Sequence, residues 1–170
     1  DVDNVTLSVP PFVHRLGGRP VKDRMDGPYA RLCLPYLAAS ILIDGTINVA
    51  SSSLDNLSNP DRLALAAKVS VVDDGNPDMN ALAPQKVSVK LSDGRTFEEN
   101  IACLLGHPGN PMSEAQHRAK FMDSAASAAQ PLAADMADKL YSRFMTLQDE
   151  ADVSIVSYLA AGFDMEKVQV

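Results

Sequence analysis

The chain has 170 residues with 46% hydrophobic and 22% charged side chains, which suits one globular domain able to bury about two thirds of its surface. Its net charge of −7 argues against nucleic acid as a partner, because phosphate binding draws on clustered Lys and Arg. It leaves room for a small anionic ligand held in a local basic pocket, and the absence of Trp points to an aliphatic core rich in Ala and Met.

Val5, Leu7 and Val9 alternate with Thr6 and Ser8, the period of a half-buried strand, and Pro10-Pro11 stops it. The chain opens at Asp1 directly into this alternation, which reads as an excised or processed piece of something longer. His14–Asp26 is basic and punctuated by Gly and Pro, with Arg15, Arg19, Lys22 and Arg24. It is expected to be an irregular loop that offers a collar of positive charge to carboxylates.

Gly27–Gly45 is the most committed stretch. No charge occurs in the twelve residues from Leu32 to Ile43. Pro35 falls in the first helical turn, where its missing N–H has no intrahelical partner. Leu37, Ala38, Ile41 and Leu42 recur as one apolar helix face, and Asp44-Gly45 supplies the left-handed stop. The run is too short to span a bilayer, so a buried helix and no membrane association are expected. Tyr29, Arg31 and Tyr36 put polar tips on this otherwise apolar element.

Asn59-Pro60-Asp61 predicts a short helix to about Ala67. Lys68–Val72 is a β-branched strand. Val87, Val89 and Leu91 alternate ahead of Asp93-Gly94, a two-residue hairpin signal, and Arg95–Cys103 returns with Phe97 and Ile101 on one face. Ser113 with Gln116 fits a capping box for a helix to about Ala128. Leu132, Met136, Leu140 and Phe144 form a stripe on the next helix, and Asp152 caps a last one that Gly162 closes. Three or four antiparallel strands followed by helices make an α+β fold, expected as a single domain over 1–170.

Dinucleotide and P-loop glycine patterns are absent, as are the zinc peptidase and nucleophile-elbow motifs. His107 and His117 have no third ligand at a metal spacing, so no metal is expected. Cys33 and Cys103 lie in apolar surroundings and read as buried free thiols. With no secretory or transit segment recognised, the cytoplasm is the expected location. Tyr36 has the reach of a proton donor or orienter. Its plainer role is a core phenol with one hydrogen-bond partner. His107, in a Gly-Pro loop before a helix, is a candidate for holding an anion.

Three segments in series, GRPVKDRMDGPYARLCLPYLAASILIDG, KVSVKLSDGRTFEENI and GHPGNPMSEAQHRAKFMDSA, resemble the C-terminal part of the MmgE/PrpD family. That family includes 2-methylcitrate dehydratase, cis-aconitate decarboxylase and an iminodisuccinate epimerase. The resemblance implies a small α+β domain that works with a large helical domain absent from this sequence, the active site lying in the cleft between them. It implies chemistry without a cofactor, in which a proton beside a carboxylate of a di- or tricarboxylate is removed and water or carbon dioxide leaves, or the proton returns on the other face. It supports Tyr36 as a catalytic residue and Arg31 more weakly as a substrate contact. The basic loop residue Lys22 and His107 join Arg31 as carboxylate ligands.

By the same resemblance most catalytic histidines and lysines belong to the helical domain, so the isolated chain is expected to be inactive. The rival readings are a free-standing carboxylate-binding or subunit-interaction module, or a purely structural domain. Helix faces left without their partner would drive self-association into a homo-oligomer.

Overall fold

Strand β1, Val2–Val9, lies at the centre of the fold in a computed structural model that describes residues 1–163. Successive side chains of a strand point to opposite faces, and here Val5, Leu7 and Val9 are the buried set. The sheet order is β2-β1-β3-β4, where β2 is Val69–Asp73, β3 Gln85–Leu91 and β4 Thr96–Ile101. Val5 stands opposite Val89 and Leu7 opposite Val87 in the antiparallel β1–β3 pair. Val89 in turn faces Phe97 across the antiparallel β3–β4 pair.

The α+β class expected from the sequence holds, but the sheet is mixed rather than antiparallel throughout. Strand β2 pairs parallel with β1, Val5 facing Val69 and Leu7 facing Val71. A parallel pair needs a crossover of about a dozen residues or more, and the long helical excursion between the two strands provides it. The hairpin also differs in detail. Gly94 N–H donates to the Leu91 carbonyl at 3.0 Å while Leu91 N–H donates to the Arg95 carbonyl at 2.8 Å. Gly94 takes φ +90°, the left-handed residue that closes a three-residue loop rather than a two-residue one.

The crossover begins earlier than the sequence suggested. Helix α1, Pro11–Gly17, occupies the start of what was expected to be loop, because Pro11 pre-sets the first helical turn. Helix α2, Gly27–Ala30, leads into α3, Leu34–Asp44. A short 3₁₀ turn over Val49–Ser52 follows, then α4, Leu54–Leu57, and α5, Pro60–Ala66. Gly45 ends α3 at φ +73° as predicted, its N–H donating to the Ile41 carbonyl at 2.8 Å.

The buried face of α3 is rotated from the predicted one, with Leu37 and Ala38 partly buried against the core clusters. Pro35, Tyr36, Ala39 and Ser40 face inward, whereas Ile41 and Leu42 are 50% and 43% exposed. Polar groups enter a core when they are paired, and both are: Tyr36 hydroxyl donates to the Ser51 carbonyl at 2.7 Å and Ser40 hydroxyl to the Tyr36 carbonyl at 2.9 Å. Two apolar clusters result. One joins β1 and β2 with Val13, Leu34 and Ala38, and the other gathers Met25, Ala30, Cys33, Tyr36 and Leu57.

The fold just described belongs to a compact unit over Asp1–Pro111, and a second unit begins at Met112. In the second, α6 spans Glu114–Ala126 behind the predicted Ser113–Gln116 capping box. Helix α7, Ala134–Met145, buries Ala137, Leu140 and Tyr141. The expected stripe is thus rotated, with Leu132 before the helix and Phe144 45% exposed. Helix α8, Ser154–Ala160, has Val153 rather than the expected Asp152 at its N-cap, while the Asp152 carboxylate accepts from Ser154 N–H at 2.9 Å just ahead of it. Among the described residues no helix is long and apolar enough to cross a membrane.

Candidate functional site

Tyr29 is fixed from three sides. The Asp26 carboxylate accepts its N–H at 2.8 Å and so caps α2, and its hydroxyl donates to the Pro20 carbonyl at 2.8 Å. Its ring carries two cations, Lys22 Nζ at 4.1 Å from the centroid and the Arg19 guanidinium at 5.4 Å, within the range of cation–π attraction. Arg19 is held further by its Nε donating to the Leu16 carbonyl at 3.1 Å. Lys22 is exposed, as is Arg31, the C-cap of α2. In this short stretch of an acidic chain Lys22 and Arg19 are held on one ring and, with the exposed Arg31, make a positive rim.

Beneath the rim lies Cys33, fully buried, whose thiol donates to the Arg19 carbonyl at 3.4 Å. Burial pushes that thiol up, offset in part by a backbone hydrogen bond at Tyr36 and by the Arg19 charge. Both cysteines are free, Cys33 buried and Cys103 half-buried. An open groove of about 330 Å³ runs from Arg19, Pro20 and Val21 to Ala66 and Val69.

Tyr36 packs in the same cluster as Cys33, with Tyr29 against its edge. Its ring is wholly buried, and its single phenolic proton is given to Ser51. Burial raises the phenol above the ordinary tyrosine range, opposed by a side-chain bond to Ser40 and the charge of Arg62. Arg62 is a residue that sequence reasoning passed over as part of a short helix. It is 3% exposed and forks onto Asp44 with Nη1 at 2.8 Å and Nη2 at 3.1 Å. Nη2 also donates to Asn56 Oδ1 at 3.3 Å, while Nε has no partner among the described residues. The hydrogen bonds from Arg62 hold the Asp44 carboxyl below its usual range, and Asp44 in turn raises Arg62. Nothing in the local sequence signals a pair eighteen residues apart.

Of the four predicted site residues, Lys22 and Arg31 lie on this rim and Tyr36 lies in the core below it. His107 is tied within its own loop. Its Nδ1 accepts from Gly109 N–H at 3.0 Å, and its backbone bonds to Leu104 and Asn110. A neutral imidazole that accepts at Nδ1 carries its proton on Nε2. No hydrogen bond among the described residues joins His107 to the Tyr29 rim or to Tyr36. No group of three or more His, Cys, Asp or Glu is placed to hold a metal among the described residues.

The mixed four-stranded sheet with a helical crossover, carrying cations on the crossover's first loop, defines an α+β domain. The chain belongs to the MmgE/PrpD family: residues 1–142 match the MmgE/PrpD C-terminal domain. It is similar to cis-aconitate decarboxylase of Mus musculus and to that of Homo sapiens, each 31% identical over 135 residues. Those matches take in 78% of this chain and 27% of each relative, so the chain spans about a quarter of their length.

Proposed function

We propose that the chain is the small lid domain of a cofactor-free lyase or epimerase acting on a di- or tricarboxylate, completed by a large helical domain. The observation that carries this reading is the pair of cations on the Tyr29 ring, within a chain whose family match takes in the whole rim. Cations held in place before binding lose little entropy when a carboxylate arrives, and the orientation they impose lowers the barrier to a proton transfer. Lys22 and Arg31 hold substrate carboxylates. His107 adds a donor through Nε2.

Tyr36 serves as proton donor or orienter. A phenol that burial keeps protonated suits the donor role. The helical domain supplies the base that removes a proton beside a carboxylate, and the departing group is water or carbon dioxide unless the proton is returned.

The test uses the longer enzyme that contains this domain. Lys22→Ala is expected to raise KM with little change in kcat, because it removes binding common to the ground and transition states. Tyr36→Phe is expected to lower kcat by about a hundredfold or more, the scale of one acid–base group. Unchanged kinetics in both variants would overturn the reading.

A further inference from the structure

The segment of residues 48–57 crosses above Tyr36 between α3 and α5, and polar bonds hold it there. Ser51 gives its carbonyl to the Tyr36 hydroxyl. Asn48 and Ser51 cap each other, with Ser51 N–H donating to Asn48 Oδ1 at 3.2 Å and Asn48 N–H to Ser51 Oγ at 3.1 Å. Asn56 Nδ2 donates to the Ala50 carbonyl at 2.8 Å, and Asn56 Oδ1 receives the Arg62 guanidinium. Its large apolar side chains add little anchorage, since Val49 and Leu54 are exposed and only Leu57 is buried. The chain of bonds therefore ends on Arg62, which Asp44 pins to the end of α3.

We infer that Arg62 is a positioning residue that latches this segment as a strap over Tyr36, and that release of the strap frees the Tyr36 hydroxyl for a substrate oxygen in place of the Ser51 carbonyl. The inference rests on the role given above to Tyr36. A phenol has one proton to donate, so Tyr36 cannot serve substrate while Ser51 holds it. Among the described residues Arg62 Nε is buried and has no hydrogen-bond partner.

The experiment compares the wild-type chain with Arg62→Lys, which keeps the charge but cannot fork between Asp44 and Asn56, and with Asn56→Ala, which leaves the ion pair intact. Amide exchange is followed residue by residue, together with nitration of tyrosines by tetranitromethane. In both variants exchange over residues 48–57 and nitration of Tyr36 are expected to rise by about tenfold or more, the factor for losing a bond or two at this site. Amides of the β1–β3 ladder and the buried Tyr141 are expected to keep their wild-type rates. A Tyr36 that stays protected in both variants overturns the inference, and so does a rise shared with Tyr141 and the sheet, which is global loosening. This readout needs no turnover, so its failure is distinct from an unchanged kcat in Tyr36→Phe, which would remove the role of Tyr36 instead.

Discussion

The hydroxyl of Tyr36 in α3 meets the carbonyl of Ser51 at 2.7 Å, fifteen residues further along and inside the core. This bond joins α3 to the segment that crosses it. Tyr36→Phe keeps the ring and leaves the Ser51 carbonyl unpaired, so a loss of about 1–3 kcal/mol is expected. Tyr36→Ala also opens a cavity and is expected to cost about 3–5 kcal/mol. Urea unfolding of both variants measures the difference. Equal stability of Tyr36→Phe and wild type would mean the bond contributes nothing.

The Arg62–Asp44 pair makes acid destabilising. A carboxyl held below its ordinary range adds stability above the unfolded value, about 4 for aspartate. It loses that stability as pH falls through the folded value. Unfolding by urea, repeated from neutral pH down through the aspartate range, is therefore expected to become easier, and Asp44→Asn is expected to flatten that slope. Asp93 and Asp152 are also lowered, chiefly by the backbone N–H groups of Arg95 and Ser154. The slope is thus reduced rather than abolished, and an identical slope in Asp44→Asn would contradict the assignment.

The two thiols differ in access. Cys33 is fully buried and its ionisation is opposed by desolvation, and only the thiolate is nucleophilic. Mild alkylation of the native chain is expected to mark Cys103 first, with Cys33 reacting after denaturation. Mass mapping of labelled peptides reads the order, and early labelling of Cys33 would show that the layer beneath the cationic rim opens.

Two adjacent glycines at the end of α1 set the course of the rim. A Cβ on Gly18 would stand 2.6 Å from the His14 carbonyl oxygen, a backbone atom. One on Gly17 would stand 2.8 Å from Leu34 Cγ, a side chain with some freedom to turn. Gly18→Ala is expected to cost more than Gly17→Ala, each within the roughly 1–3 kcal/mol typical of overpacking. It is also expected to displace Arg19 from the Tyr29 ring. Thermal unfolding gives the order, and the reverse order would mean that Leu34 is held more rigidly than the backbone.

Elements with a local cause were legible in the sequence. Period-two alternation gave β1 and the hairpin, Asn59-Pro60 gave α5, Ser113 and Gln116 gave α6, and Gly45 gave the end of α3. Pairings between distant residues were not. Strand β2 announces itself as a strand, but its parallel partner depends on how the crossover returns. On α3 hydropathy pointed to Ile41 and Leu42, whereas burial of Tyr36 and Ser40 depends on acceptors that only the fold supplies. Lys22 and Arg31 were identifiable as basic residues beside a committed helix. The stacking of Lys22 and Arg19 on Tyr29, and the buried fork of Arg62, had no sequence signal.

The most direct measurement is a titration of the isotope-labelled chain with a tricarboxylate such as tricarballylate, followed by backbone amide shifts, in wild type and Lys22→Glu. The account predicts weak, millimolar binding, as expected of half a pocket, with shifts concentrated in residues 19–31. It predicts their loss in Lys22→Glu. Absence of shifts in that stretch, or the same shifts in both proteins, would contradict the assignment of this rim to substrate carboxylates.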